Sequence, residues 1–408
     1  MVDFTKGQSD DGGGHVSSLR TWIALMLVGW LLFFPTKNIS IYFAGIFLVS
    51  VLYILVVGRL YRNNISWSCG VFLFFVCLLF FILNIPYSLD LYRDASELVR
   101  VLAALMLLLV FLNFRDAEYC LLDACLIVFL ILSVCVSFLQ FSGYSQLTSF
   151  FSNIYSSDLH VENSLGLSNR ALGISAGPAQ NGGSTGLVSI YLFFRFYFFH
   201  KKRFWSFLFL LGGFLVVLFS QSQTAFAAFC VAVFITFFWV VMSGKNKFRN
   251  LFFLIFFILL IVAVFLVEID RFSYLVTLFE LGTERNSYQV REKTWAEMFA
   301  LANNRPWGYV VGYGKSYFGD YSAAFDNEYV FFVLVYGVVF CLLFYFILLV
   351  SILLAIKGVI LKNSPSALYL SIIFPGLLLA WPSSFFTDAR MMAVFLFVIA
   401  FWMRPRVQ

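Results

Sequence analysis

The chain has 408 residues, of which 62% are apolar and only 12% are charged, and its mean hydropathy is +0.92. A soluble domain carries roughly 25% charged residues, so this composition excludes a cytosolic enzyme, a secreted disulfide scaffold and a disordered protein. Phenylalanine alone supplies 54 residues, and so much apolar surface requires a bilayer as solvent. The net charge of +6 is less informative than the positions of the charges.

The chain opens with a polar, glycine-rich segment, residues 1–20, which lacks the pattern of a cleavable signal and is predicted to be a cytoplasmic tail. Twelve apolar runs follow, and their continuous rather than alternating pattern predicts membrane-spanning helices. The runs are residues 21–35, 39–58, 66–86, 97–113, 120–141, 182–199, 204–220, 223–243, 251–267, 328–356, 366–386 and 389–403.

Lysine and arginine are concentrated in alternate connections between these runs. The short connections on the other side hold only Lys37, Arg93 and Arg390. Positively charged loops remain in the cytoplasm, so the pattern predicts twelve helices with both termini cytoplasmic.

Two long connections divide the chain, and both are predicted on the outer side of the membrane. Loops of this length are usually either functional or disordered, and the aromatic residues in these two favour function, so we expect the chemistry to face the periplasm or the cell exterior. We find no internal repeat of the kind that builds many transporters. The predicted segments are helices one to five (21–141), the first long loop (142–181), helices six to nine (182–267), the second long loop (268–327), and helices ten to twelve with a short cytoplasmic tail (328–408).

The first long loop ends in a glycine-rich stretch that contains its only cation, Arg170. Arginine carries a permanent charge on a planar fork that suits phosphate, and Gly173 would let the backbone approach a ligand. The alternatives are that Arg170 is an ordinary surface residue and that Asn181 caps helix six. The polar turn around Ser222 either caps helix eight or lines a sugar path.

The second long loop carries six cations, which imply an anionic ligand or a lipid headgroup. A helix is predicted over residues 287–304, with Trp295 as an interfacial anchor. Its alternative is an amphipathic lid without chemistry. The cations are Arg271, Arg285, Arg291, Lys293, Arg305 and Lys315, and the predicted apolar stripe of the helix is Val290, Trp295, Met298, Phe299 and Ala302.

The end of the second loop contains a predicted tight turn with Gly312 and Gly314, which lacks the context of a nucleotide-binding motif. Asp326, at the mouth of helix ten, is a candidate general base, and its alternative role is to cap that helix. Arg100 and Arg195 lie within predicted spans, and both are expected to extend to an interface.

These motifs, taken in order, resemble the bacterial O-antigen polymerase and O-antigen ligase superfamily. The resemblance covers roughly residues 165–340, whereas the first four helices match only as generic spans. Gln223 stands where the family often has arginine, and Asp326 stands where ligases typically have histidine, which favours a polymerase. The resembling motifs are Arg170 to Gly173 with Pro178 and Asn181, Ser220 to Thr224, Arg291 with Trp295, Pro306 with Gly308, Gly312 and Gly314, and Asp326, Asn327, Tyr329 and Gly337.

The resemblance implies an all-α, GT-C-like membrane glycosyltransferase of the bacterial inner membrane, which joins undecaprenyl-pyrophosphate-linked repeat units at the periplasmic face. In this hypothesis Arg170 and Arg291 stabilise the leaving pyrophosphate, and Asp326 accepts the proton of the acceptor. We expect no cofactor, no metal and no nucleic acid; the expected partners are the lipid-linked oligosaccharide, membrane lipids and a chain-length regulator. The predicted substrate-binding residues are Gly173, Asn181, Ser222, Arg285, Trp295, Arg305, Gly312, Gly314, Asn327 and Tyr329.

Three other functions remain open from the sequence. A ligase, which transfers the finished glycan to lipid A–core, would share the topology and the arginines. A polymerase of another lipid-linked sugar is a second alternative. A lipid-linked oligosaccharide flippase would also have about twelve helices, but it would need charges inside the bundle and short loops on both sides.

Overall fold

All regular secondary structure in the described part of the computed structural model is helical, and there is no strand there. The structure describes the chain except residues 1–13, 59–63, 144, 167–168, 244–251, 253–254, 256–285, 324, 326, 382 and 405–408.

Helices cover eleven of the twelve predicted apolar runs, and almost all of the ninth run lies outside the described residues. The α-helices are α1 (Gly14–Phe33), α2 (Ile39–Val57), α3 (Asn64–Asn84), α4 (Leu91–Leu112), α5 (Asp116–Phe141), α6 (Ser145–Tyr155), α7 (Asp158–Val161), α8 (Pro178–Phe194), α9 (Arg203–Ser220), α10 (Gln223–Ser243), α11 (Asn286–Ala302), α12 (Gly308–Val311), α13 (Glu328–Phe331), α14 (Gly337–Ile360), α15 (Ser364–Ala380) and α16 (Ala389–Met403). The π-helical turns are Glu162–Gly166, Arg195–Phe199 and Phe332–Tyr336.

Seven helices of the described chain are long and apolar enough to cross a membrane. Three shorter apolar helices accompany them, Ser18–Phe33, Ser364–Ala380 and Ala389–Met403. The seven are Ile39–Val57, Ser68–Tyr87, Leu91–Leu112, Asp116–Phe141, Arg203–Ser220, Gln223–Ser243 and Glu328–Ile360. This is the composition of a helical membrane protein.

Several predicted boundaries are wrong because hydropathy does not register polar residues in the first turn of a helix. Helix α1 begins at Gly14, inside the predicted tail. Helix α4 begins at Leu91 rather than at residue 97, since Asp90 caps it by accepting a hydrogen bond from the Arg93 amide at 3.1 Å. Helix α8 begins at Pro178, a residue that suits the first helical position.

The predicted first loop, residues 142–181, contains the short helices α6 and α7, as expected for the long loops, but it also contains the start of α8. A further correction concerns the last connection. The eleventh run extends to residue 386, but α15 ends at Ala380, so residues 383–388 form a connection to α16. The apolar pair Phe385 and Phe386 made this connection look like helix.

The two arginines within predicted spans are buried in ion pairs, which the sequence analysis did not predict. Arg100 is buried and pairs with Glu97, with Nη1 2.8 Å from the carboxylate. Arg195 is buried and pairs with Asp123, with Nη2 2.7 Å from the carboxylate. A counter-charge makes burial of each guanidinium possible.

One end of the bundle holds the described parts of both long loops, and we call it the loop end. The segments that meet there are residues 169–177, 303–325 and 383–388. The opposite end is closed by buried ion pairs, including Arg195 with Asp123 and Arg20 with Glu118. The candidate functional residues are therefore those of the loop end.

Candidate functional site at the loop end

Arg170 lies beside the polar turn that joins α9 to α10. The Ala171 amide donates to Phe219 O at 2.9 Å, and Arg170 Nε donates to Ser220 O at 3.4 Å. The structure thus brings two of the predicted motifs together. Ser222 is buried, and its Oγ accepts a hydrogen bond from the Ala225 amide at 3.4 Å, a contact in the first turn of α10.

Gly173 and Asn181 hold the segment that contains Arg170 against α5. The Gly173 amide donates to Gln140 Oε1 at 2.7 Å, and a Cβ at Gly173 would lie 2.2 Å from Asn181 Oδ1. Asn181 Nδ2 donates to Ser137 Oγ at 3.0 Å and to Ala171 O at 3.3 Å. Asn181 does not cap α8, because Gly177 is the N-cap; instead its side chain ties the segment to α5.

Helix α11 forms where the sequence predicts it and carries Arg291. Its buried residues Met298 and Ala302 pack against Tyr313, and Trp295 is packed against the same cluster. Val290 is 64% exposed and does not belong to the apolar stripe, contrary to the prediction. The cluster holds α11 on the rest of the second loop.

Gly312 and Gly314 serve close packing of the second loop. Both adopt a positive φ, 84° and 75°, which favours glycine. A Cβ at Gly312 would lie 2.2 Å from Val335 O, and a Cβ at Gly314 would lie 2.9 Å from the Asp94 carboxylate. These glycines therefore fit the loop against the π-helical turn Phe332–Tyr336 and against α4.

Two carboxylates of α4 hold the second loop, and sequence reasoning missed both. Asp94 accepts hydrogen bonds from the Ser316 amide at 2.7 Å and from Ser316 Oγ at 2.6 Å. Glu97 accepts from Lys315 Nζ at 2.9 Å and from Tyr336 OH at 3.2 Å. Carboxylates in an apolar helix were the available signal, since ionisable residues there are rare and functional or paired.

A cavity of about 40 Å³ lies between α3, α4 and the second loop. It has room for about one water molecule. At its edge Arg305 donates from Nη2 to Asn84 Oδ1 at 2.8 Å, and its guanidinium lies 3.8 Å from the Tyr87 ring centre. Its polar lining residues are Asn84, Ser88, Asp94, Glu97 and Lys315.

Tyr313 contributes a neutral hydroxyl at the contact of the second loop with α11. Burial raises the pKa of Tyr313 to about 12. The phenol therefore remains protonated at neutral pH, and its OH donates to Ala302 O at 2.7 Å. This bond fixes the end of α11 against the glycine turn.

The mouth of α13 is organised by Asn327, whose Oδ1 accepts hydrogen bonds from the Tyr329 amide at 2.9 Å and from the Val330 amide at 3.3 Å. Asn327 is thus the N-cap, and the predicted cap and base Asp326 lies outside the described residues, as does Arg285. Tyr329 OH donates to Leu377 O at 2.9 Å.

Glu328 and Arg390 join both long loops to the connection of residues 383–388. The buried Glu328 carboxylate accepts hydrogen bonds from the backbone amides of Phe385, Phe386 and Thr387, at 2.9, 2.9 and 2.5 Å. On the other side Arg390 Nη1 donates to Ile174 O at 2.5 Å. Sequence analysis named Arg390 only as a cation of a short loop.

The predicted site residues therefore form two clusters with this connection between them. The first contains Arg170, Gly173, Asn181 and Ser222, and the second contains Trp295, Arg305, Gly312 and Gly314. Asn327 and Tyr329 lie apart from both, at the start of α13, where Tyr329 contacts α15. Within the described residues, no three His, Cys, Asp or Glu side chains form a group that could hold a metal ion.

Comparison of the chain with protein-family models and with curated proteins gives no match.

Proposed function

We propose that this chain is an O-antigen polymerase of the bacterial inner membrane, with twelve spans, both termini in the cytoplasm and a GT-C-like arrangement. In this proposal the loop end faces the periplasm. There the enzyme joins undecaprenyl-pyrophosphate-linked repeat units, and undecaprenyl pyrophosphate is the leaving group.

The observation that supports the proposal is the gathering of arginines at the loop end on rigid supports. Arg170, Arg305 and Arg390 each touch a different segment there. Fixed cations at one end of the bundle are suited to stabilise charge that develops on a leaving pyrophosphate, without reorganisation at the moment of reaction.

The reaction needs an attacking hydroxyl, groups that stabilise the leaving pyrophosphate and a base that takes the hydroxyl proton. An acceptor hydroxyl attacks the anomeric carbon, the bond from that carbon to the pyrophosphate oxygen breaks, and the pyrophosphate departs with the electron pair. Arg170 and Arg291 are proposed to stabilise that departing charge. Asp326 is proposed to take the proton of the acceptor hydroxyl, as a general base.

The test is the glycolipid ladder of a strain in which the gene is deleted. A lipid A–core that carries one repeat unit and no ladder is the expected result. A bare core with accumulated lipid-linked polymer would overturn the proposal in favour of a ligase. A bare core with single repeat units retained on the cytoplasmic face would overturn it in favour of a flippase.

Replacing Arg291 by alanine is expected to abolish the ladder while the protein level stays at that of the wild type. Loss of one charge-stabilising donor costs about 10²–10³ in rate in other enzymes. Arg291 lies half exposed on α11, so its removal leaves the buried cluster of Met298 in place. The matched control is Lys293→Ala, an exposed cation on the same helix, which should retain the ladder. A normal ladder with Arg291→Ala contradicts the assignment.

Polymerisation is expected to continue after chelation of divalent metals. The proposed cations are arginines, whose charge needs no metal. The measurement is polymer formation by the purified protein from a lipid-linked repeat unit, with and without an excess of EDTA. Activity lost with EDTA and restored by added Mg²⁺ would show that a metal takes part.

A further inference from the structure

Arg390 is a buried cation at the loop end, and only some of its N–H donors have hydrogen-bond acceptors. Arg390 is 4% exposed, and its Nη1 donates to Ile174 O at 2.5 Å and to Ser175 Oγ at 2.8 Å. Its Nε and Nη2 are buried and have no hydrogen-bond partner. A guanidinium has five N–H donors, so three of those on Arg390 lack an acceptor.

The surroundings of Arg390 supply no hydrogen-bond acceptor for these three N–H groups. The rings of Phe129 and Tyr155 lie 5.6 and 5.3 Å from its guanidinium carbon, which gives a cation–π contribution but no acceptor. The Asp388 carboxylate contributes negative charge nearby, but it accepts hydrogen bonds from the backbone amides of Arg390 and Met391, at 3.1 and 2.9 Å, and so caps α16. A buried guanidinium whose donors are incompletely paired favours an additional anion.

A second source of positive potential lies next to Arg390. Ser175, which its Nη1 contacts, is two residues before Gly177, the N-cap of α8. No side chain caps α8, whose 17 residues begin with Pro178. The first amides of a helix and its dipole favour an anion. A Cβ on Gly183 would lie 2.9 Å from Met391 Sδ, so the first turns of α8 and α16 are adjacent.

We propose that Arg390 and the uncapped start of α8 form a phosphate-binding site, which takes a phosphate group of a polyprenyl pyrophosphate. The assignment of that lipid rests on the proposed function, whereas the anion chemistry rests on the unfilled donors. Arg170 lies at the other end of the six-residue segment that ends at Ser175, so the first long loop carries a second arginine close in sequence to this site.

The test measures binding of farnesyl pyrophosphate and of inorganic pyrophosphate to the purified full chain in detergent. Both probes are titrated into the wild type and into Arg390→Gln. Thermal unfolding of the two ligand-free proteins shows whether the variant is folded. We expect binding to weaken at least tenfold in Arg390→Gln. Binding of both probes identifies a site for free or lipid-linked pyrophosphate, and binding of farnesyl pyrophosphate alone identifies a site that also needs the chain.

The matched control is Arg404→Gln, at the opposite end of α16, where Arg404 pairs with the exposed Asp116 at 2.8 Å. Its affinity should equal that of the wild type. If Arg390→Gln fails to fold, Arg390→Lys, which keeps the charge but loses the planar fork, should still bind at least fivefold more weakly. Unchanged affinity in the folded variant, or no binding to the wild type, overturns the site.

The binding result and the glycolipid ladder fail independently. If deletion removes the ladder but binding does not depend on Arg390, the proposed polymerase function stands and this binding site is rejected. If binding depends on Arg390 but deletion leaves the ladder intact, the binding site stands and the polymerase function is rejected.

Discussion

Replacing Glu328 by alanine is expected to lower the free energy of unfolding by roughly 3–5 kcal/mol. The Glu328 carboxylate is 1% exposed and accepts three backbone hydrogen bonds, from Phe385, Phe386 and Thr387. Alanine leaves three buried amides without an acceptor, and each such donor costs about 1–3 kcal/mol. Thermal unfolding of the purified protein in detergent and the amount recovered from membranes measure the effect.

Glu328→Gln should be less harmful than Glu328→Ala, because the amide oxygen still accepts while its NH₂ group opposes a backbone donor. The control is Glu292→Ala, since Glu292 is exposed on α11 and its loss should leave the unfolding temperature unchanged. A Glu328→Ala protein that unfolds within about 2 °C of the wild type would show that the 383–388 connection is held by other contacts.

Loss of the hydrogen bonds that hold the 383–388 connection would also affect the first long loop. Arg390 lies directly after it and holds Ile174 and Ser175. We therefore expect Glu328→Ala to impair any activity that uses Arg170 as well as stability. The two long loops are linked through this short connection in the structure, which makes Glu328 an anchor for both.

The sequence predicts the helices well because membrane spans are continuous apolar runs. The failures concern polar residues next to those runs. Asp94 and Glu97 lie in the first two turns of α4, where they reduce the hydropathy, so the predicted helix began only at Glu97. Phe385 and Phe386 had the opposite effect and extended the eleventh run through a non-helical connection.

The site is less predictable than the fold, because its contacts join residues far apart in the chain. Glu97 and Lys315 are 218 positions apart, and Arg390 and Ser175 are 215 apart. No local pattern encodes such a partner. Arg170 and the Ser220–Ser222 turn were identified separately as polar motifs, but their adjacency follows only from the packing of α8 against α9 and α10.

Replacing Glu97 by alanine is expected to cost about 3–5 kcal/mol, the range for a buried ion pair that loses one partner. Glu97 is buried, and its carboxylate accepts from Lys315 Nζ at 2.9 Å, Arg100 Nη1 at 2.8 Å and Tyr336 OH at 3.2 Å. Without it Arg100 stays inside the bundle and loses its ion pair. Lys315, whose side chain is 20% exposed, can turn towards water.

The variants Glu97→Ala, Arg100→Ala and Lys315→Ala should therefore differ in stability. Glu97→Ala is expected to be the least stable, and Arg100→Ala should be intermediate, because Glu97 retains Lys315 and Tyr336. Lys315→Ala should cost only about 1 kcal/mol, since Glu97 stays paired with Arg100 and Asp94 still holds Ser316. Thermal unfolding ranks them, and limited proteolysis after Lys315 in the other two variants reports whether the second loop is released. Equal destabilisation by Lys315→Ala and Glu97→Ala would place the anchor at Lys315 rather than in the buried pair of α4.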